Sequence, residues 1–379
     1  MKVVIAPQAF KGALSGAKAA EAIAAGIRLV IPEAKTTLLP VADGGDGTLE
    51  ALVENTNGHV FTSHVNDPFM NPIKADWGVM GDGETAVIEM ARASGLVLVP
   101  PEKRDPRHTT TFGTGQLIKE AIAHGYRRII VGMGGSATND GGAGMAKALG
   151  VRFFDNTGTD LPAGGAFLSE LKSIDISSIN PSLRDTNIIA ASDVTNPLCG
   201  AEGASAIYGP QKGATSTMVG ELDSALLHYA SIVEQTFGIE VSELPGAGAA
   251  GGLGAGLIAF ANGRVQSGID LVCDVLSMDS HLEGADLVIT GEGKVDHSTI
   301  YDKAPIGVAR RAKALGVKVL IIAGGLGRGY EDVYAHGVDA VTCISDHPMP
   351  LRTSIQSTYP LLVNATARAM RMLLLDLAR

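Results

Sequence analysis

The feature that most constrains this chain is a repeated order of elements. A short apolar strand leads into a polar, glycine-rich loop, and the loop leads into a helix. Residues 3–7 (VVIAP) form such a run, and Ser15 is the predicted cap of the helix that follows. The same order returns near the C-terminus, where ADLVITGEG precedes the helical pattern APIGVARRAKALG and the strand VKVLIIAGG. Continuous apolar strands alternating with helices are typical of a parallel sheet that is covered on both faces. We therefore predict an α/β fold.

The middle of the chain follows a different pattern. The segments NPIKADWGVM and ETAVIEMA are separated by GDGE, which predicts an antiparallel hairpin. A chain of 379 residues also exceeds what one ordinary core accommodates. We predict one α/β domain built from residues 1–65 and 284–379, with a mixed α/β domain inserted at 66–283. The last helical pattern runs from about Arg352 to Leu377.

Charge and composition exclude several classes of function. The formal net charge is −10 and no run of Lys or Arg exceeds two residues, which argues against nucleic-acid binding. No apolar run approaches the length of a membrane span, and the first one is too short for a signal peptide. Cys199, Cys273 and Cys343 are far apart and suggest neither zinc binding nor disulfides. We expect a cytoplasmic protein, because free thiols fit a reducing compartment.

The stretch GMGGSATNDGGAGMAKALG, residues 132–150, contains seven glycines in nineteen residues. It is predicted to join a strand to a helix, where successive N–H groups and the helix dipole favour an anion. A capped helix with a flexible preceding loop is the alternative interpretation. Asp140 could face a metal ion. The residues predicted to bind substrate or phosphate here are Gly134, Gly135, Ser136, Thr138 and Asn139.

A second glycine-rich stretch, GAGAAG at 246–251, contains the spacing of a dinucleotide fingerprint. It does not follow a predicted strand, so that interpretation is poorly supported. Gly251 and Gly252 could admit a nucleotide close to the backbone, and close helix packing is the alternative. A P-loop is excluded, because Val295 follows the only Gly-Lys pair, Gly293–Lys294.

Carboxylates follow several predicted strands. Asp43 lies in ADGGDG, Asp193 in SDVTN, and Glu292 with Asp296 in TGEGKVD. Ligands of open α/β sheets bind beyond the carboxyl ends of the strands. Any one of these acids could simply form a turn, but three loops of the same kind favour a metal or proton-transfer site.

Three lysines occupy comparable loops: Lys11, Lys212 and Lys303. Each alone could be a solvated side chain. Together with glycine loops and carboxylates they form the set that phosphoryl transfer requires, with Mg²⁺ held by one or two carboxylates. The chain contains neither HExxH nor GxSxG, so the usual zinc-protease and serine-hydrolase sites are not predicted.

Taken together, these motifs resemble those of a known family, the class I glycerate kinases, and the likeness extends over essentially the whole chain. The stretches that carry the likeness include VVIAPQAFKGALS, PVADGGDGTLEA, GGSATNDGGAGMAKALG, DVTNPLCGAEGA, YGPQKGA, PGAGAAGGLGAG and LVITGEGKVD. The resemblance implies ATP-dependent phosphorylation of D-glycerate; it favours the 2-hydroxyl as the acceptor, and the sequence leaves open which hydroxyl is phosphorylated. It also implies two α/β domains, one of them Rossmann-like and discontinuous, with the active site in the cleft between them.

Nine positions match motif residues of that family: Lys11, Asp43, Ser136, Asn139, Asp140, Asp193, Lys212, Glu292 and Asp296. We assign the catalytic roles to Lys11, Asp193 and Asp296, one aspartate accepting the proton and the other helping to hold Mg²⁺. The predicted metal ligands are Asp140, Asp193, Glu292 and Asp296. The sequence departs from the family pattern at Gln8, Ala9 and His297, and at Asp302–Lys303, where the family has Gly-Lys. These departures bear on the affinity for substrate rather than on the type of reaction.

Two other functions stay open from the sequence: an NAD-dependent hydroxy-acid dehydrogenase, and a non-catalytic sensor of an organic anion. The expected ligands of a kinase are D-glycerate, ATP and Mg²⁺. The sequence leaves open whether copies of the chain form a homo-oligomer.

Overall fold

A computed structural model describes residues 1–301 and 303–375. The chain forms two compact units. The terminal unit contains Met1–Asp43, Glu50–Asn55 and the chain from Ile269 onward, and the central unit contains Gly44–Leu49 and Thr56–Gly268. Among the described residues, no helix has both the length and the apolar character needed to cross a bilayer.

The strands are short, and most of them are apolar. They are β1 (Lys2–Pro7), β2 (Lys35–Leu38), β3 (His59–Asn66), β4 (Pro72–Val79), β5 (Thr85–Glu89), β6 (Arg128–Gly132), β7 (Arg152–Phe154), β8 (Ser173–Asp175), β9 (Asn187–Ala191), β10 (Gly263–Gln266), β11 (Leu287–Gly291), β12 (Lys318–Ala323) and β13 (Ala340–Cys343).

The α-helices range from one turn to about six turns. They are α1 (Gly16–Arg28), α2 (Thr48–Asn55), α3 (Ala91–Ser94), α4 (Phe112–Ala123), α5 (Ala143–Ala148), α6 (Ala204–Tyr208), α7 (Ser216–Phe237), α8 (Ala249–Ala261), α9 (Gly268–Val275), α10 (Met278–Leu282), α11 (Ala304–Ala314), α12 (Leu351–Gln356) and α13 (Thr358–Leu373).

The terminal unit is built on a five-stranded sheet in the order β13-β12-β11-β1-β2, and every neighbouring pair is parallel. The strands β1, β11 and β12 are buried almost throughout, as their continuous apolar runs predict. Helix α1 begins at the predicted cap, because the Ser15 side chain accepts a hydrogen bond from the backbone N–H of Lys18. Helices α1 and α13 pack closely at Gly26, where a Cβ atom would collide with the backbone of Val363.

The central unit contains a six-stranded sheet in the order β10-β9-β6-β5-β4-β3 and a separate two-stranded hairpin of β7 and β8. The four strands from β10 to β5 are parallel, whereas β4 and β3 are antiparallel additions. The predicted hairpin across GDGE is confirmed as β4 and β5. Trp77 on β4 is fully buried in the core between this sheet and α4.

The predicted α/β class, with one parallel sheet and one mixed sheet, is confirmed. The domain boundaries at 65/66 and 283/284 stay a prediction, and the compact units change at different places. Strand β3, which precedes residue 66, pairs with β4 in the central sheet, while α9 and α10 belong to the terminal unit. The predicted final helix is divided into α12 and α13, and its predicted end at Leu377 lies outside the described residues.

Candidate active site

In the central unit, the loop after β6 approaches the backbone of residues 44–46 very closely. The N–H of Gly134 donates to the carbonyl of Gly44 at 2.9 Å, and a Cβ atom at position 134 would collide with Gly45. Gly135 has φ +74° and is exposed, and Ser136 is buried and forms a bridge with Gly95. The glycines predicted as an anion loop therefore let two loops meet without side chains between them.

Asp140 lies at the centre of this loop and is 1% exposed. Its carboxylate accepts hydrogen bonds from the backbone N–H of Thr111 at 2.8 Å and from those of Gly142 and Gly144, each at 3.2 Å. The hydroxyls of Thr110 and Thr111 donate to it as well, each at 3.1 Å or less. Burial raises its pKa, and these donors oppose the rise. The metal role of Asp140 stays a prediction; in this structure its carboxylate holds the loop to the start of α4.

Lys212 is the one lysine among the buried side chains of the described residues, with 2% exposure. Its Nζ donates to the carbonyl oxygen of Thr138 at 2.7 Å. Burial lowers its pKa to about 7, and the nearby charge of Asp140 partly opposes this. Lys212, which the sequence predicts to bind an anion, is thus hydrogen-bonded to the predicted anion-binding loop. Its ammonium is enclosed by protein.

Asn139 is fully buried and donates from Nδ2 to the hydroxyl of Ser205 at 2.9 Å. Ser205 lies on α6, and the chain runs from α6 directly into the short turn that carries Lys212. The loop at 138–140 and the segment 204–213 are therefore connected by two side-chain hydrogen bonds, one from each segment.

Gly251 and Gly252 pack against the same loop. Both have positive φ, +70° and +91°, and interrupt the first turn of α8. A Cβ atom at 251 would collide with the carbonyl of Thr138, and the carbonyl of Gly251 accepts from the N–H of Gly141 at 3.0 Å. These contacts support close helix packing rather than a nucleotide-binding role for Gly251 and Gly252, because both glycines are buried against backbone.

Asp193 follows β9 in the central unit, as predicted. Its Oδ1 accepts from the hydroxyl of Ser267 and from the backbone N–H of Gly268, each at 2.8 Å. These donors hold the carboxylate at the carboxyl ends of β9 and β10, where ligands of α/β sheets commonly bind.

In the terminal unit, Asp296 lies in the loop after β11. Its Oδ2 pairs with Lys294 Nζ at 2.8 Å, and its Oδ1 accepts from the N–H and the hydroxyl of Ser298 at 2.9 and 2.6 Å. The hydrogen bond from Lys294, followed by that from Ser298, holds the pKa of Asp296 well below its usual range. This carboxylate therefore stays ionised near neutral pH.

Glu292 begins the same loop and is 8% exposed. Its Oε1 accepts from the hydroxyl of Thr299 at 2.9 Å. Burial raises its pKa to about 7, an effect that the charge of Lys303 opposes and that Asp43 and Asp296 reinforce. Glu292, Asp296, Lys303 and Asp43 are thus neighbours, as their positions after parallel strands predict.

Lys303 Nζ donates to the hydroxyl of Ser298 at 2.8 Å, which attaches it to the loop that carries Asp296. Lys11 is exposed, and its backbone lies beside Gly293, where a Cβ atom would be 3.4 Å from the Lys11 nitrogen. The terminal unit therefore brings together all five predicted residues that it contains: Lys11, Asp43, Glu292, Asp296 and Lys303. Asp302, a predicted departure from the family pattern, lies outside the described residues.

Within the described ranges 1–301 and 303–375, no three His, Cys, Asp or Glu side chains are grouped closely enough to hold a metal ion by themselves. Mg²⁺ in kinases is commonly bound by one or two carboxylates together with phosphate oxygens. The ionised Asp296 fits such a site, whereas the carboxylate of Asp140 already accepts several hydrogen bonds from protein donors. Metal binding by Asp193 and Glu292 stays a prediction.

Sequence reasoning missed Lys294 and Ser298, whose hydrogen bonds lower the pKa of Asp296, and Thr299, whose hydrogen bond opposes the raised pKa of Glu292. A hydroxyl residue two positions after an aspartate was the available signal, because such pairs form local hydrogen bonds. Lys294 belongs to the one Gly-Lys pair of the sequence, and this pair gives no local signal for an ion pair with Asp296.

Comparisons with known proteins identify the family. The model of the glycerate kinase family matches residues 3–374. The chain belongs to the glycerate kinase family. It is 50% identical over 341 residues to glycerate 2-kinase of Escherichia coli K12, covering 90% of each chain. It is 49% identical to glycerate kinase of Halalkalibacterium halodurans, covering 96% of each chain.

A solved structure gives the same result for the fold. The crystal structure of a protein assigned as glycerate kinase 2 from Salmonella typhimurium LT2 matches with a TM-score of 0.86 and 46% identity, over 98% of each chain. The predicted family and the predicted class of enzyme, a phosphotransferase of this family, are confirmed.

Proposed function

We propose that this glycerate kinase family member transfers the γ-phosphoryl group of ATP to the 2-hydroxyl of D-glycerate, with Mg²⁺ as cofactor. The products are 2-phospho-D-glycerate and ADP. The observation that carries the proposal is the loop after β11, where an ionised aspartate lies among two lysines and a buried glutamate. Phosphoryl transfer depends on such positioned charges rather than on covalent chemistry.

In the terminal unit, we assign metal binding to Asp296 and phosphate binding to Lys303 and Lys11. The carboxylate of Asp296 remains charged because Lys294 and Ser298 stabilise its ionised form. Bound Mg²⁺ would supply a positive charge to the phosphate oxygens. Lys303 is held by Ser298 and would add a second positive charge to the transferred group.

In the central unit, we assign proton acceptance to Asp193. Its Oδ1 is fixed by Ser267 and Gly268, so the orientation of the carboxylate is set before substrate binds. Substrate binding is assigned to the loop around Ser136 and Asn139. Lys212 supports that loop through the carbonyl of Thr138, a positioning role that replaces the direct anion contact predicted from sequence.

A coupled assay with ATP, Mg²⁺ and D-glycerate tests the function. We expect release of ADP that depends on both glycerate and Mg²⁺, and phosphorus NMR should place the phosphate on carbon 2. Reduction of NAD with glycerate, without use of ATP, would support the dehydrogenase alternative. Tight binding of glycerate without turnover would support the sensor alternative.

The assignment of the acids has its own test. Replacement of the proton acceptor should lower kcat by roughly 10²–10⁴-fold, the usual contribution of general acid–base catalysis. If Asp193→Asn and Asp296→Asn both retained near-normal kcat, the assignment would be wrong. We keep the cytoplasm as the proposed location.

A further inference from the structure

Arg104 lies in the middle of a segment that is fastened around the loop of residues 134–140. On one side of Arg104, the N–H of Leu96 donates to the carbonyl of Gly135 at 2.8 Å. On the other side, the Thr109 hydroxyl donates to the carbonyl of Ala137 at 2.8 Å. The position of Arg104 is therefore determined by the same loop that is proposed to bind substrate.

Arg104 also contacts the segment that carries Lys212. Gly213 has φ +99°, and a Cβ atom there would collide with the carbonyl of Arg104 and lie 2.7 Å from its Cβ. Only glycine permits this approach, since a side chain at position 213 would push the two segments apart. The backbone of Arg104 is thus held directly against the residue that follows Lys212.

The guanidinium of Arg104 has hydrogen-bonding capacity that the protein does not use. The side chain is half-buried and its Nε is enclosed, yet no described residue accepts a hydrogen bond from Nε. Arg107 on the same segment is different, because it pairs with Asp105 at 2.9 Å and with Glu221 at 3.5 Å. Buried polar groups are nearly always paired, and a guanidinium does not lose its proton.

A second unused group lies on the adjoining loop. The Oδ1 atom of Asn139 is buried and accepts no hydrogen bond from a described residue, while Nδ2 is engaged by Ser205. Adjoining segments thus contain a charged donor at Arg104 and a buried oxygen at Asn139, neither of which is paired by a described residue. A hydroxy acid carries the complementary pair, a carboxylate and a hydroxyl, whereas a triphosphate has no donor for Asn139.

We propose that Arg104 binds the carboxylate of the hydroxy-acid substrate through its guanidinium, and so determines the preference for an acid over an uncharged polyol. This rests on the proposed function. The planar fork of arginine matches the two oxygens of a carboxylate, and lysine does not reproduce that geometry.

The test compares wild type, Arg104→Gln and Arg104→Lys, with Arg107→Gln as the matched control on the same segment. We expect Arg104→Gln to raise KM for D-glycerate by about 10- to 100-fold, the range for loss of charged hydrogen bonds. KM for ATP should change less than about twofold, and Arg104→Lys should lie between wild type and Arg104→Gln. Arg107→Gln should keep a KM for glycerate within about twofold of wild type.

A second measurement tests the contribution of the substrate carboxylate to binding. Glyceramide, the uncharged amide of the substrate, should inhibit wild type and Arg104→Gln with the same inhibition constant. An unchanged KM for glycerate in both Arg104 variants, or a raised KM for ATP alone, would overturn the inference. If Arg104→Gln does not fold, Arg104→Lys decides the question. Absence of glycerate kinase activity in wild type would instead overturn the proposed function.

Discussion

Asp296 in the terminal unit and Asp140 in the central unit are both aspartates in glycine-containing loops that follow a parallel strand, yet their surroundings are opposite. Asp296 faces two donor side chains, one of them the largely exposed Lys294, and its pKa is lowered. Asp140 is fully enclosed, accepts several donors from its own and a neighbouring loop, and its pKa is raised. The first arrangement keeps a charge available for a ligand, and the second uses a carboxylate to hold backbone.

The same contrast applies to the cations. Lys303 reaches a hydroxyl beside Asp296 and is only half-buried, whereas Lys212 is enclosed and bonded to a carbonyl. Residue type and position after a strand are therefore not enough to assign a chemical role. The number of protein donors and acceptors already facing the group separates a reactive side chain from a structural one.

The largest expected effect is on catalysis through Asp296. Asp296→Asn should lower kcat/KM by roughly 10²–10⁴-fold, because it removes the charge proposed to bind Mg²⁺. The free energy of unfolding should change by less than about 1 kcal/mol, since the lysine partner is 67% exposed. The measurements are steady-state kinetics and chemical denaturation.

Asp339→Asn is the matched control, because Asp339 pairs with Lys318 at 3.1 Å in the same unit and accepts a backbone N–H at 2.9 Å. It should leave kcat/KM unchanged. If Asp296→Asn and Asp339→Asn had equal kcat/KM, Asp296 would have no catalytic role beyond that of an ordinary surface carboxylate.

Asp140→Ala should lower the free energy of unfolding by about 3 kcal/mol or more, because several buried donors lose their acceptor at once. Trp77, the only tryptophan, is buried in the central unit and reports its unfolding by fluorescence. Asp155→Ala is the control, since Asp155 accepts similar local hydrogen bonds in an exposed turn. A stable but inactive Asp140→Ala would show that Asp140 belongs to the chemistry after all.

Lys212 should make stability depend on pH. Its folded pKa of about 7 lies below the ordinary value of 10.5, so folding releases a proton between these values. Wild type should gain up to about 1.4 kcal/mol per pH unit relative to Lys212→Met as pH rises from 7 to 9. The difference should level off below pH 7. A difference that stays constant from pH 7 to 9 would contradict burial of the ammonium.

The smallest effect is expected at Lys294. Lys294→Met removes the partner of Asp296 but leaves both donors from Ser298. Because the lysine is 67% exposed, the change should be less than about fivefold in kcat/KM, within the range of exposed ion pairs. A loss as large as that of Asp296→Asn would show that Lys294 itself contacts the phosphates.

Much of the molecule could be predicted from sequence. The parallel sheet of the terminal unit, the β4–β5 hairpin and the cap at Ser15 follow from local patterns of apolar residues and turns. The grouping of Glu292, Asp296 and Lys303 could be predicted because all lie near one loop. Strand β3 was missed because most of its residues are exposed, so it carries little alternating apolar signal.

By itself, the sequence determined the α/β class, the family and the loops in which polar residues gather, because these depend on periodicity and on short motifs. Only the tertiary structure decided that Asp140 and Lys212 are enclosed while Asp296 keeps its charge. It also decided that Gly251 packs against Thr138 and that Arg104 lies beside the turn of Lys212. The reason is physical: pKa and availability depend on burial and on partners from distant segments, which local sequence does not specify.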